Sequence, residues 1–151
     1  MKENQKIKAL NKFLSYIHMG NSTFRIYYNY AKKIGNEELS RNIVEAMELF
    51  KHHEEVFTNI INETSNASDM LTPTAKMALC VEKMKPLNTT FDVCYHAIKA
   101  LNMGYVSVLK FLYEHPKLGQ DILGKIVLVI NDYNQIREKF EKIIVKISTQ
   151  N

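Results

Sequence analysis

The residues best suited to chemistry are five histidines, His18, His52, His53, His96 and His115, and the acids that could serve beside them. An imidazole and a carboxylate three residues apart lie on one helix face one turn along, so both can reach the same metal ion. Three residues before each histidine stand Ser15, Leu49, Phe50, Val93 and Leu112, so a Glu-x-x-His pair is absent. His52 and His53 are adjacent, and neighbours on a helix point about 100° apart, which makes joint chelation difficult. Slipping the second helix by one residue turns Glu54 inward. With Glu45 or Glu48, His53, and Asp132 from another helix, that register could hold a single ion. The sequence has no Gly-rich phosphate loop, no Ser or Cys in a recognised nucleophile setting, and no carboxylate pair placed by a motif. No catalytic residue is therefore assigned.

These side chains must be positioned by helices. Alternating steps of three and four pick out the packing stripe of a helix. From Ile7 they give Leu10, Leu14, Ile17, Asn21, Phe24, Tyr28 and Ala31, with Asn21 the one polar member. A second series is Leu39, Ile43, Ala46, Phe50, His53, Phe57, Ile60 and Thr64. A third is Phe91, Cys94, Ile98, Leu101, Tyr105, Val108 and Leu112. A fourth is Ile122, Ile126, Val129, Tyr133, Ile136, Phe140, Ile143 and Ile147. The spacing predicts long helices over roughly 3–34, 37–64, 90–114 and 119–148 in a single domain spanning 1–151. The polar residues of the four seams, Asn21, His53, Tyr105 and Tyr133, then form a central layer. That layer could satisfy itself by hydrogen bonding and fix register, or line a small-ligand pocket.

The punctuation fits. Gly35-Asn36 ends the first helix and offers a cap to the second, and Pro116 separates the third from the fourth. Both connections are short. The middle one, about 25 residues from Ser65 to Thr90, carries turn signals at each end, and Thr72-Pro73 opens a short helix over about 73–84. The expected fold is all-α, an antiparallel four-helix bundle with short, long and short connections.

Charge and composition narrow the partners. The net charge is +4, but acids and bases are interleaved and no basic stripe or reading motif suggests nucleic acid. No run approaches the ~20 apolar residues of a membrane span, and no signal-peptide core opens the chain, so a cytoplasmic protein is expected. Cys94, on a seam, reads as a small buried hydrophobe, and the methionines, Met47 and Met103 among them, as core fillers. The aromatic cluster Phe24, Tyr27, Tyr28 and Tyr30 reads either as core plus rim or as an oligomer contact.

The helical hairpin Tyr27–Phe57 (YYNYAKKIGNEELSRNIVEAMELFKHHEEVF) and the Gly104-bearing third helix (ALNMGYVSVLKFLYEH) resemble the ferritin-like superfamily, in particular its small bacterial, rubrerythrin-related domains of unknown function. Metal-binding members place one Glu on each of two helices and Glu-x-x-His on each of the other two. This chain departs from that set: Phe50 stands at the Glu position before His53, and Asn21, Tyr105 and Tyr133 cannot balance two irons. The resemblance therefore implies a bundle with a degenerate di-iron site, without a cofactor, acting as a homodimer or through a protein partner. The alternative is an iron or manganese redox or storage protein with unusual ligands drawn from Glu45, Glu48, His53, Glu54 and Asp132.

Overall fold

The computed structural model describes residues 1–65 and 86–150, and among these all regular structure is helical. Four long helices, α1 (Glu3–Ile34), α2 (Glu37–Ser65), α3 (Thr90–Glu114) and α4 (Gln120–Thr149), are joined in the last case through a single 3-10 turn, Pro116–Leu118. The short helix expected over 73–84, and Cys80 within it, lie outside the described residues.

The helix ends follow from local chemistry. Gly35 takes φ +80°, a left-handed conformation open to a residue without Cβ, and its N–H bonds to the Ala31 carbonyl. Asn36 Oδ1 then accepts from the Leu39 N–H at 3.0 Å, capping α2. At the start of α3, Thr89 accepts from the Asp92 N–H while the Asp92 carboxylate accepts from the Thr89 N–H, a reciprocal capping box.

The helices form a square in which α1 packs on α2 and α3, and α4 packs on the same two. Cross-helix contacts fix how the chain runs. Glu38–Lys146, Glu45–Lys139 and His53–Asp132 link α2 to α4, so residue numbers rise along one helix as they fall along the other. The same holds between α1 and α2 at Phe13–Phe57 and Phe24–Phe50, and between α1 and α3 at Phe13–Phe111 and Tyr27–His96. Asn36, in the turn between α1 and α2, donates to Thr90 Oγ1 at 3.3 Å. The far end of α2, by contrast, lies with Phe57 against Phe13, which in turn meets Phe111 near the end of α3. Thus α2 ends and α3 begins at opposite ends of the bundle.

The core is the seam set, with local rotations. On α2 every seam residue from Leu39 to Ile60 is buried, and on α4 every one from Ile122 to Ile143. In the aromatic cluster of α1, Phe24 and Tyr27 are buried, while Tyr28 is half-buried, and Lys32 and Lys33 lie over the rings of Tyr28 and Tyr30. That is core plus rim. On α3 the seam is turned: Val93, Cys94, Ala97, Leu101, Val108 and Phe111 are buried, whereas Phe91 faces solvent. Met103 likewise is no core filler, being 71% exposed. Cys94, Leu101 and Val108 of the expected seam are buried and Ile98, Tyr105 and Leu112 pack against the core, but the stripe is rotated toward Val93, Ala97 and Phe111, because this helix is apolar on more than one side and periodicity does not single out its inner face.

Candidate functional site

Two phenylalanine clusters bracket the middle of the bundle. Phe13, Phe57 and Phe111 meet at centroid distances of 4.6 and 5.0 Å toward one end, and Phe24, Phe50 and Phe140 at 5.1 and 6.0 Å toward the other. Between them the polar side chains assemble in two separate imidazole–carboxylate pairs.

His18 and Asn21, three apart on α1, share one face and converge on the same acceptor. His18 Nδ1 donates to Glu54 Oε1 at 2.9 Å, and Asn21 Nδ2 donates to the same oxygen at 3.1 Å. On α2 the next-door His53 points elsewhere, as adjacent helical residues must. It is 3% exposed, and its Nε2 lies 2.8 Å from Asp132 Oδ2 on α4. Tyr133 adds a buried ring whose centroid is 6.1 Å from that of His53. Gly104 on α3 makes room for it, since a Cβ there would sit 3.2 Å from Tyr133 Cε2.

Burial lowers the His53 pKa below its ordinary value, because a charged imidazolium is poorly solvated there; the hydrogen bond and charge of Asp132 work against the shift, and His52 adds to it. The neutral ring donates Nε2–H to Asp132, which leaves Nδ1 as a lone pair. That Nδ1 is buried without a partner, and so is Nε2 of His18. Protonating His53 would create a buried N–H with no acceptor, a second reason for the neutral form. Burial foremost, then the Asp132 charge, also raises the Tyr133 pKa, so its phenol keeps its proton.

The sequence-derived candidates therefore separate. Asn21 bonds Glu54, His53 bonds Asp132, and Tyr133 packs on His53, but Tyr105 lies half-buried against the hydrophobic core without a described polar contact to the others. Glu45 is ion-paired with Lys139 toward the outside. Glu48 is exposed and lines two surface clefts of about 270 and 300 Å³, one between α1 and α2 and the other between α2 and α4. His52 faces solvent, and His115 turns back to the Phe111 carbonyl at 2.9 Å. His18 is the residue that sequence reasoning missed. Its signal was the His18-x-x-Asn21 spacing beside the one break in the α1 seam.

A dinuclear iron centre needs about four carboxylates and two imidazoles. Here Glu54 and Asp132 are each engaged by a different imidazole, and among the described residues no three His, Cys, Asp or Glu side chains group as a metal cage. The described residues do not fit such a centre.

A second feature lies on the outside. The face of α3 directed away from the core carries Tyr95, Met103, Val106, Leu109 and Tyr113, with Val106 60% and Tyr113 87% exposed, interrupted by the exposed Lys99 and Asn102. Exposed positions on α1 and α2 are mostly polar, among them Lys8, Lys12, Arg25 and Asn29 on α1 and Arg41, Lys51, Glu55 and Asn59 on α2, with Met19 and Val44 as single apolar exceptions.

Comparison with protein-family models, curated proteins and solved structures gave no match.

Among the described residues no helix is long and apolar enough to cross a membrane, so the α3 face is not part of a transmembrane span.

Proposed function

We propose that this chain is a non-enzymatic, ferritin-like bundle of antiparallel helices that works in the cytoplasm through contact with protein. The observation that carries the reading is the outward face of α3: Met103, Val106 and Tyr113 are presented to solvent on the helix side opposite the core. A row of large apolar side chains on one helix marks a contact surface, whereas singly scattered ones do not. The opposed numbering of neighbouring helices, and the placement of the α2 end and the α3 start at opposite ends, support the ferritin-like order of connections. The engaged carboxylates at the centre support a structural role for that layer. Placing a photo-crosslinking residue at Val106 in living cells tests the reading. A discrete protein adduct at Val106, absent when the same residue is placed at Lys51, is expected; equal or no labelling at Val106 rejects it.

One observation favours a second reading, the iron- or manganese-binding one. Metal-ligating histidines usually donate their other N–H to a carboxylate, and His18 and His53 each pair one nitrogen this way while the other is unpartnered. Elemental analysis of protein from iron- and manganese-supplemented cells decides it. Stoichiometric metal that is lost on His53→Ala establishes this reading; trace metal indifferent to the substitution removes it.

A further inference from the structure

The outward face of α3 also indicates what covers it. We propose that a second copy of this chain packs there, the two α3 helices crossing in opposite directions about a two-fold axis close to Asn102. This rests on the protein-contact reading above and names its partner.

A two-fold interface must be complementary to itself. Reversing α3 about Asn102 sets Phe91 against Tyr113 of the other copy, and Tyr95 against Leu109, so aromatic ends meet apolar partners. All four are exposed in the single chain. Phe91 and Tyr95 are already stacked, with centroids 5.6 Å apart and planes 18° from parallel, which presents one flat aromatic platform at that end.

Nearly the same operation pairs charges, since Asp92 and Lys110 centre on residue 101, one residue from the centre set by the aromatic pairs. Asp92 and Lys110 lie eighteen residues apart (110 − 92), five turns of helix, and so occupy the same edge of the face. Antiparallel pairing brings Asp92 of each copy to Lys110 of the other, twice per dimer. A parallel arrangement would instead put Asp92 level with Asp92 and Lys110 level with Lys110, so that neither acid would reach a lysine. Lys110 is available for this role: its one described ion pair, to Glu114 at 3.8 Å, is long, and its side chain is 74% exposed.

The area of a stable contact requires more than α3. A helix the length of α3 presents a strip of about 37 by 10 Å, on the order of 400 Å², roughly half of the ~800 Å² per partner typical of a stable interface. Val127, 42% exposed, extends the strip. It lies on the helical row Val127, Ile130, Asn134 and Arg137 of α4, and Arg137 donates to Asn102 of α3 at 3.3 Å. The contact is thus a layer built from α3 and the adjoining edge of α4 of both copies.

Sedimentation equilibrium and light scattering on the full chain test this. A mass of twice 17.6 kDa is expected. Val106→Lys, at a solvent-facing position, should give a folded monomer with unchanged helical circular dichroism. Lys110→Glu should weaken self-association about tenfold by setting like charges together at two places. Asn102→Cys in a Cys80→Ser background should form a disulfide-linked dimer under mild oxidation. A wild-type monomer at ~100 μM, well above the micromolar affinities of modest interfaces, overturns the second copy. In that case a Val106 photo-adduct to a different protein would still uphold the contact reading. A dimer that survives Val106→Lys overturns the assignment to this face.

Discussion

His53 Nε2 lies 2.8 Å from Asp132 Oδ2 across the α2–α4 contact, while Nδ1 of the same ring is buried with no partner. The pair therefore holds one proton comfortably and a second one badly. Because burial lowers the His53 pKa in the fold, the unfolded chain binds protons more readily below the ordinary value of 6.5. This contribution to stability is fully present above that value and is lost as pH falls beneath it. Urea unfolding at pH 7.5 and 5.5 should show a lower midpoint at the acid pH. His53→Leu should reduce that pH dependence, and an unchanged slope in the variant would refute the assignment.

Removing the acceptor tests the same pair from the other side. Asp132→Ala leaves a buried ring N–H unsatisfied, which costs about 1–3 kcal/mol. Glu54→Ala removes the acceptor shared by His18 and Asn21, but His18 is the more exposed of the two imidazoles, with 11% of its side chain accessible against 4% for His53. Chemical denaturation should rank Asp132→Ala as the more damaging change. The reverse order would mean that the half-buried cluster on α1 is the structural one.

The seams of α2 and α4 could be read from sequence because each largely apolar series runs along the whole helix, while the exposed apolar residues, Val44 on α2 and Val127, Leu128 and Val145 on α4, form no competing series at helical spacing. His53 was visible for the same reason, as the polar member of an otherwise apolar series. Its pairing with Asp132 was not, since it joins residues 79 apart and depends on how two helices are registered in space. The capacity of Glu54 to turn inward was legible, but toward His18 and Asn21, while His53 kept its own direction. On α3 the apolar residues that face outward hid the inner stripe, and the feature that confused the periodicity is the one that now suggests a contact surface.

Two glycines offer a matched comparison. Gly124 lies in the interior of α4 with open space where a Cβ would go, so Gly124→Ala should stabilise the fold by about 0.5–1 kcal/mol. In a domain of this size that corresponds to roughly 1–4 °C in Tm. At Gly104 the added Cβ would stand 3.2 Å from the Tyr133 ring, itself held by Phe50 and His53 at 5.9 and 6.1 Å. Gly104→Ala should therefore fall short of that gain despite the same helix preference. Equal Tm increases in the two variants would show that Tyr133 yields freely.

The α3 cap is separable from the core. Thr89→Ala removes the side-chain acceptor for the Asp92 N–H and one half of the reciprocal box, and such losses cost about 0.5–2 kcal/mol. The effect should be local: amide exchange should quicken at Asp92 and its neighbours in the first turn of α3 before it does at Leu101. Uniform acceleration along the helix would instead mark a global loss of stability.

Cys94 is buried on the inner face of α3, and burial pushes its thiol pKa up to about 12, so almost no thiolate is present at neutral pH. In a Cys80→Ser background, a disulfide reagent at pH 8 should label Cys94 only as fast as the bundle opens. Denaturant below the unfolding midpoint should then accelerate labelling in step with the loss of helical signal. Prompt labelling in native buffer would mean that the Cys94 end of α3 opens independently of the rest. The burial of Val93, Cys94 and Ala97 as one packed stripe argues for opening together with the bundle.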